Sequence, residues 1–244
     1  AKEMKDFLVA KYPQSDELEG IGNEVFEWIL AETQGANRPK RAPMCDDYAR
    51  DFPRHTKTDY CYRFLLGFYW KEQPDQAKVR EYAERWTAVR PESPLALSIS
   101  ARVCAEMDIE LNQAIKWATS AIKYMDKNFP SLAEWQARSA KKPFWYYEWQ
   151  YIDEPRPFDI LDSVGWVYFK KGDLVRAESY INQAIQYESF HSRIWYHLGK
   201  VYEAQNKTDA AMDAYTHSLI ARQDITEAPG AIKALLKKQH PNTS

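Results

Sequence analysis

Cysteines and histidines are the residues of this chain with the most reactive side chains, and they are few: Cys45, Cys61 and Cys104, with His55, His191, His197, His217 and His240. A cysteine nucleophile needs a base within hydrogen-bond reach and a third group to orient that base. Cys61 and His55 are the nearest approach to such a set, and nothing at sequence level orients them. A zinc site needs four ligands at short, paired spacings. The intervals from Cys45 to Cys61 and from Cys61 to Cys104 fit no such pattern, even with His55 between the first two. An odd cysteine count without short pairing is also no disulfide framework. The thiols therefore read as small buried hydrophobes on helices. The chain contains no Gly-rich phosphate loop, no Gly-x-Ser-x-Gly and no His-Glu-x-x-His. The reading is non-catalytic, with no metal and no cofactor.

Composition narrows the partners. The 244 residues carry a formal net charge of −2, and the sequence pI is near 6.3. That balance argues against a nucleic-acid surface or a polybasic membrane surface. No apolar run approaches the ~18 residues of a membrane span, and no secretory signal is present. Ala1 in place of Met leaves room for a removed leader or upstream segment. The compartment stays open between cytoplasm and bacterial periplasm: the absent disulfide logic favours the first, the missing Met the second. Nine Trp and 16 Tyr are many for this length.

The elements that would position any site follow from a repeat. Leu161, Val164, Gly165 and Tyr168 fall at i, i+3, i+4 and i+7, one face of a helix. Trp195, Leu198, Gly199 and Tyr202 do the same. Gly165 and Gly199 are 34 positions apart, and the intervals Tyr168–Tyr202 and Ala177–Ala211 are identical. A mid-helix glycine costs roughly 1 kcal/mol against alanine. It is explained if a second helix approaches closely, with Ala177 or Ala211 as the facing small residue. Lys171-Gly172-Asp173 and Asn206-Lys207-Thr208 break each pair, with Asp173 and Thr208 as expected N-caps.

The period of 34 and the pattern W-x2-L-G-x2-Y followed by A-x3-F/Y resemble the tetratricopeptide repeat. Trp195-Tyr-His-Leu198-Gly199-Lys-Val-Tyr202 with Ala211-Met-Asp-Ala-Tyr215 is nearly the full motif, while the preceding copy has Leu161 for Trp. The resemblance implies an all-α, right-handed α-solenoid of antiparallel helix pairs. Pro13, Pro53, Pro91 and Pro130 recur at intervals of 40, 38 and 39 residues. Each stops one helix, and a following Ser or Thr can cap the next. The Tyr-Pro-x-Ser phrase is similar to that of bacterial envelope members of the family.

The chain then divides into divergent hairpins over 1–126, an aromatic-rich insert over 127–158, two clear repeats over 159–222 and a capping helix over 223–240, as one continuous solenoid. Helices are expected over 2–11, 16–33 and 44–51, and Gln34–Pro43 reads as a basic, solvated connector. Hairpins follow over 58–70 with 75–89, and over 94–107 with 110–125. Leu66, Gly67 and Trp70 occupy the motif positions of the first, with Val79 replacing alanine; Arg102 stands where the second would have glycine. The insert is expected as a short irregular helix plus loop. Thr226 would cap a last helix ending near Gln239, with Ile232, Leu235 and Leu236 inward.

In this family the concave groove is lined by the first helix of each pair. Carried onto the clear repeats, those positions are Asp159, Asp162, Trp166, Phe169 and Lys170, then Arg193, Tyr196, Lys200, Glu203 and Ala204. The divergent hairpin would add Phe64, Phe68 and Lys71. The subfamily that clamps the C-terminal carboxylate of heat-shock chaperones needs Lys and Asn here, which Asp162 and Trp166 do not supply. Trp166 and Phe169 lie off the Leu161–Val164–Tyr168 face, so either the insert covers them or they meet a partner. The expected function is a non-catalytic scaffold that binds a protein or peptide in the groove, with homo-oligomerisation open. Two alternatives remain: a small-ligand or carbohydrate site on Trp145, Tyr147, Trp149 and Tyr151 of the insert, or the recognition module of a larger enzyme.

Overall fold

Asp75, Ser93 and Asp173 start three helices by the same device. Their side chains accept backbone N–H groups one turn in: Ala77 and Lys78 for Asp75, Ala96 for Ser93, Arg176 for Asp173. Each satisfies donors that have no partner inside the helix. Thr208 departs from its expected role: the helix starts at Thr208 itself, with Lys207 in the cap position and no side-chain cap bond. The computed structural model describes residues 3, 6, 16–128, 131–139, 156–221 and 227–239. Among these, all regular structure is helical, in adjacent pairs of the α-solenoid type. The helix expected over 2–11 lies outside the described residues apart from Glu3 and Asp6. The chain forms two compact units, one ending at Pro91 and one beginning at Glu92.

The first unit contains α1 (Asp16–Glu32), a 3-10 turn (Gly35–Lys40), α2 (Arg41–Asp51), α3 (Thr58–Gly67) and α4 (Gln76–Val89). Successive helices pack on one another. The core holds Val25, Ile29, Tyr48, Leu65, Leu66, Val79 and Trp86. The Trp86 indole stacks on Tyr62 and donates to Asp59 Oδ1 at 2.7 Å. Gln34–Pro43 is largely exposed, as a solvated connector should be, and it is also tethered: Arg38 forms a two-point ion pair with Glu72, and Arg41 bonds Thr33 and Tyr60. Both guanidiniums lie over the Phe64 ring, where cation–π attraction holds them. Gly67 makes no close approach, since a Cβ there meets nothing within 4 Å. Instead α3 widens after it into a π turn, Phe68–Glu72.

The second unit contains α5 (Pro94–Glu106), α6 (Leu111–Asn128), α7 (Leu132–Ser139), α8 (Pro157–Lys170), α9 (Leu174–Tyr187), α10 (Ser192–Ala204), α11 (Thr208–Ile220) and α12 (Ala228–Gln239). The pairs are α5 with α6, α8 with α9, and α10 with α11. Helix α8 packs directly on α5 and α6, so the insert leaves the stacking unbroken. Within the insert, Ser131 and Glu134 close a capping box at the start of α7. Trp135 then donates to the Tyr187 carbonyl at 3.2 Å, docking α7 on the end of α9. A Cβ at Gly165 would stand 2.5 Å from Ile181 and 3.2 Å from the Ala177 carbonyl. At Gly199 it would stand 2.4 Å from the Tyr215 ring, so the facing group there is Tyr215 rather than Ala211. The repeat extends to the turns: Gly172 and Asn206, 34 apart, both have positive φ, at 81° and 60°. Glycine and asparagine tolerate that conformation best. Helix α12 buries Leu235, but Leu236 is 47% exposed, against expectation. Thr226, its expected cap, lies outside the described residues.

Candidate partner-binding face

Helix α8 is the hub of the second unit because α5 and α6 cover one side of it and α9 and α10 the other. Its residues from Ile160 to Tyr168 are all buried; Asp159, Phe169 and Lys170 keep partial exposure. An ionised carboxylate sealed off like this is stable only with charge-assisted hydrogen bonds. The Asp162 side chain is fully buried and has two: Arg193 Nε donates to Oδ2 at 2.9 Å, and His197 Nδ1 donates to Oδ1 at 2.8 Å. Arg193 Nη2 reaches Asp159 Oδ1 at 2.7 Å. Burial alone would raise the pKa of Asp162, but its contacts with His197 and Arg193 hold it well below the usual carboxylate range. The same pairing holds the Arg193 guanidinium charged despite its burial. Since an ionised carboxylate only accepts, the contact fixes the proton of His197 on Nδ1.

The other face of the imidazole is equally held. The His197 ring stacks on Trp166 at 4.0 Å, and Trp166 stacks on Phe169 at 4.7 Å. The Trp166 Nε1 donor is buried without a hydrogen-bond partner. From α5, Arg102 enters the same field; burial and the nearby Arg193 charge lower its pKa to about 10. His191 packs its ring 5.4 Å from Phe158. Burial, then Arg193, pushes its pKa down to about 4, so it is neutral at pH 7.

The groove positions expected from sequence thus separate into two layers. Asp162 and Trp166 form a closed floor, with Arg193 over it. Trp166 is covered by His197 and Phe169, both outside the aromatic insert. Phe169, Lys170, Tyr196, Lys200 and Glu203 remain half-exposed above it, and Ala204 is exposed. Lys170 pairs with Asp108 of the α5–α6 turn at 2.9 Å. Lys200 pairs with Glu203 at 3.1 Å, and Glu203 also accepts from Tyr215 at 2.9 Å and Lys238 at 3.3 Å. Tyr196 leans on Tyr215 at 5.7 Å; its pKa is raised by burial and by Glu227, Glu106 and Glu203.

In the first unit Phe68 is buried and Phe64 is covered by Arg38 and Arg41, so of those three positions Lys71 alone is exposed, over Trp70. Trp145, Tyr147, Trp149 and Tyr151 lie outside the described residues. Sequence reasoning gave His197 no role. A signal was present, because Asp159 and Arg193 stand 34 apart, the same register position in successive repeats. Here the two opposite charges meet, with Arg193 Nη2 on Asp159 Oδ1.

Comparison with known proteins fits this geometry. The family model for the tetratricopeptide repeat matches residues 192–222, which are α10, α11 and the turn between them. Residues 192–222 are a tetratricopeptide repeat. PilW, a widely conserved type IV pilus biogenesis factor, is 12% identical, over 92% of this chain and 96% of that one, with a TM-score of 0.59. TTC0263, a thermophilic TPR protein in Thermus thermophilus, is 14% identical, over 88% and 98%, with a TM-score of 0.60. In the APC/C hetero-tetramer Cut9-Hcn1, the match is 16% identical, over 95% of this chain and 45% of that chain, with a TM-score of 0.56. At these identities the likeness is one of fold. No curated protein sequence matches the chain. Among the described residues, no helix is long and apolar enough to cross a membrane.

Proposed function

We propose that this chain is a non-catalytic scaffold, and that the α8–α10 face of its second unit receives a segment of a partner protein. The observation that carries the reading is the contrast between the two layers. The floor is locked by the Asp162–Arg193–His197 contacts and the Trp166 stack. Above it stand half-exposed Phe169 and Tyr196, of the aromatic types that anchor protein interfaces, with Lys200 beside them. A preformed surface loses little entropy on binding, so a few anchors suffice. The Cut9-Hcn1 structure is a hetero-tetramer in which a protein of this fold is assembled with another, which supports the same use here. The test is quantitative affinity capture from an extract of the source organism. Three baits are compared: the wild type, a Tyr196→Ala, Lys200→Glu variant, and a Val175→Ser variant altered at a distant exposed site. Proteins retained by the first and third but lost from the second support the reading. Loss on the Val175 variant alone would move the binding face elsewhere.

A further inference from the structure

Helix α12 closes the second unit by packing on α11, and it is held thinly. Of residues 228–238, only Ala228 and Leu235 are buried, with Ala231 and Ile232 half-buried. These four stand at i, i+3, i+4 and i+7, a single stripe of the helix. Leu235 forms one buried cluster with Ala211 and Tyr215 of α11, and Tyr196, Tyr202, Met212, Ala231 and Ile232 pack around it. One turn beyond, Lys238 Nζ reaches Glu203 Oε1 at 3.3 Å, but the lysine side chain is 70% exposed, so water screens the pair. A helix of 12 residues is marginal in water by itself. Gly230 lowers its population by up to about 5-fold against alanine, and no neighbour requires it, since a Cβ there meets nothing within 4 Å. We infer that α12 is an exchangeable occupant of a helix seat on α10 and α11, and that the seat receives an amphipathic helix of a partner protein. That helix carries small residues at i and i+3, aliphatic ones at i+4 and i+7, and a lysine or arginine at i+10.

The seat and its present occupant together define that partner. The seat is mostly apolar and aromatic, with the Glu203 carboxylate at one end. An apolar helix stripe laid into such a groove is a recurring mode of recognition, and α12 shows the spacing this one accepts. Glu203 selects the direction of the helix, because the cation must follow the stripe rather than precede it. Tethering keeps α12 near its seat at an effective concentration on the order of millimolar. A partner helix therefore binds in proportion to the fraction of chains whose α12 is away. The seat shares Tyr196 and Glu203 with the α8–α10 face and extends from there onto α11.

The test uses full-length chains and, as the probe, a synthetic peptide of residues 227–239. Hydrogen exchange followed by mass spectrometry reads how often α12 opens, and NMR titration of the labelled chain reads peptide binding. In the wild type, α12 should exchange at least about 10-fold faster than α10 and α11. Gly230→Ala strengthens α12 without touching the seat, and should slow that exchange and weaken peptide binding, each by up to about 5-fold. Leu235→Ala in the chain removes the main anchor and should raise both by about 10-fold or more, with the other helices retained by circular dichroism. The peptide carrying the same Leu235→Ala change should not show the gain. Exchange of α12 in step with α10 and α11 would overturn the inference. So would a folded Leu235→Ala chain that binds the peptide no better than the wild type, or a Gly230→Ala chain unchanged in both readings. Loss of the other helices on Leu235→Ala would also overturn it, because α12 would then be core rather than occupant. The titration needs no cellular partner, so it can fail while capture on the α8–α10 face succeeds, and the reverse.

Discussion

Asp162→Asn isolates the closed floor of the second unit with no change in shape. The asparagine oxygen can still accept from His197 Nδ1, but its amide nitrogen faces Arg193 Nε, where donor meets donor. One charge-assisted hydrogen bond is lost, about 1.5–3 kcal/mol. Arg193 keeps only Asp159, whose side chain is 33% exposed and so screened. Removing one partner of a buried pair typically costs about 3–5 kcal/mol, and the surviving Asp159 contact places this case near 3. For a unit of this size that is a fall in Tm of roughly 6–12 °C. Thermal melts followed by far-UV circular dichroism read it. Asp159→Asn, at the exposed end of the network, should cost about a third as much. The difference between wild type and Asp162→Asn is itself pH-dependent. The folded pKa of Asp162 is depressed, so its contribution is fully present above about pH 4, the unfolded value, and is lost as pH falls below it. A loss of under 1 °C at pH 7, or equal losses for Asp159 and Asp162, would refute the account of the floor.

His191 should act in the same sense, at milder acidity. Its folded pKa near 4 lies below the unfolded ~6.5, so the unfolded chain takes up the proton first. Stability from this group is complete above pH 6.5 and falls by at most about 3 kcal/mol as pH drops to 4; urea titrations of the wild type and His191→Asn at both ends check the slope. Gly199→Ala drives a Cβ into a Tyr215 ring that Glu203 holds, so it should lose about 1–3 kcal/mol. Gly67→Ala, with open space at the same motif position, should gain up to about 1 kcal/mol; paired denaturation curves separate the two. Asp75→Ala removes the acceptor for two backbone donors at the start of α4 and should cost about 1 kcal/mol in the first unit's transition.

The paired glycines, alanines and tyrosines of 159–222 made the helix pairs of that stretch legible, because a close helix contact permits few residue types. Proline followed by a cap residue placed the end of α4 and the start of α5 for the same reason. What stayed hidden depended on partners distant in sequence. Gly67 carries the motif but not the contact, since α3 widens into a π turn just where the approach would occur. Asp162 read as a solvent-facing groove residue because its burial is decided by α10, and a lone aspartate carries no mark of the Arg193 and His197 that seal it. Arg38 and Arg41 looked like a solvated basic loop, yet Phe64 and Glu72, about thirty positions on, hold them.

The central claim is that a partner protein meets the half-exposed layer above that floor. The most direct measurement is site-specific photocrosslinking in the source cells, with a benzophenone amino acid at Tyr196, at Phe169 and, for comparison, at Val175. The account predicts a discrete protein adduct from Tyr196 and Phe169 and none from Val175. An adduct from Val175 alone, or a fully folded chain that crosslinks from none of the three, would contradict it.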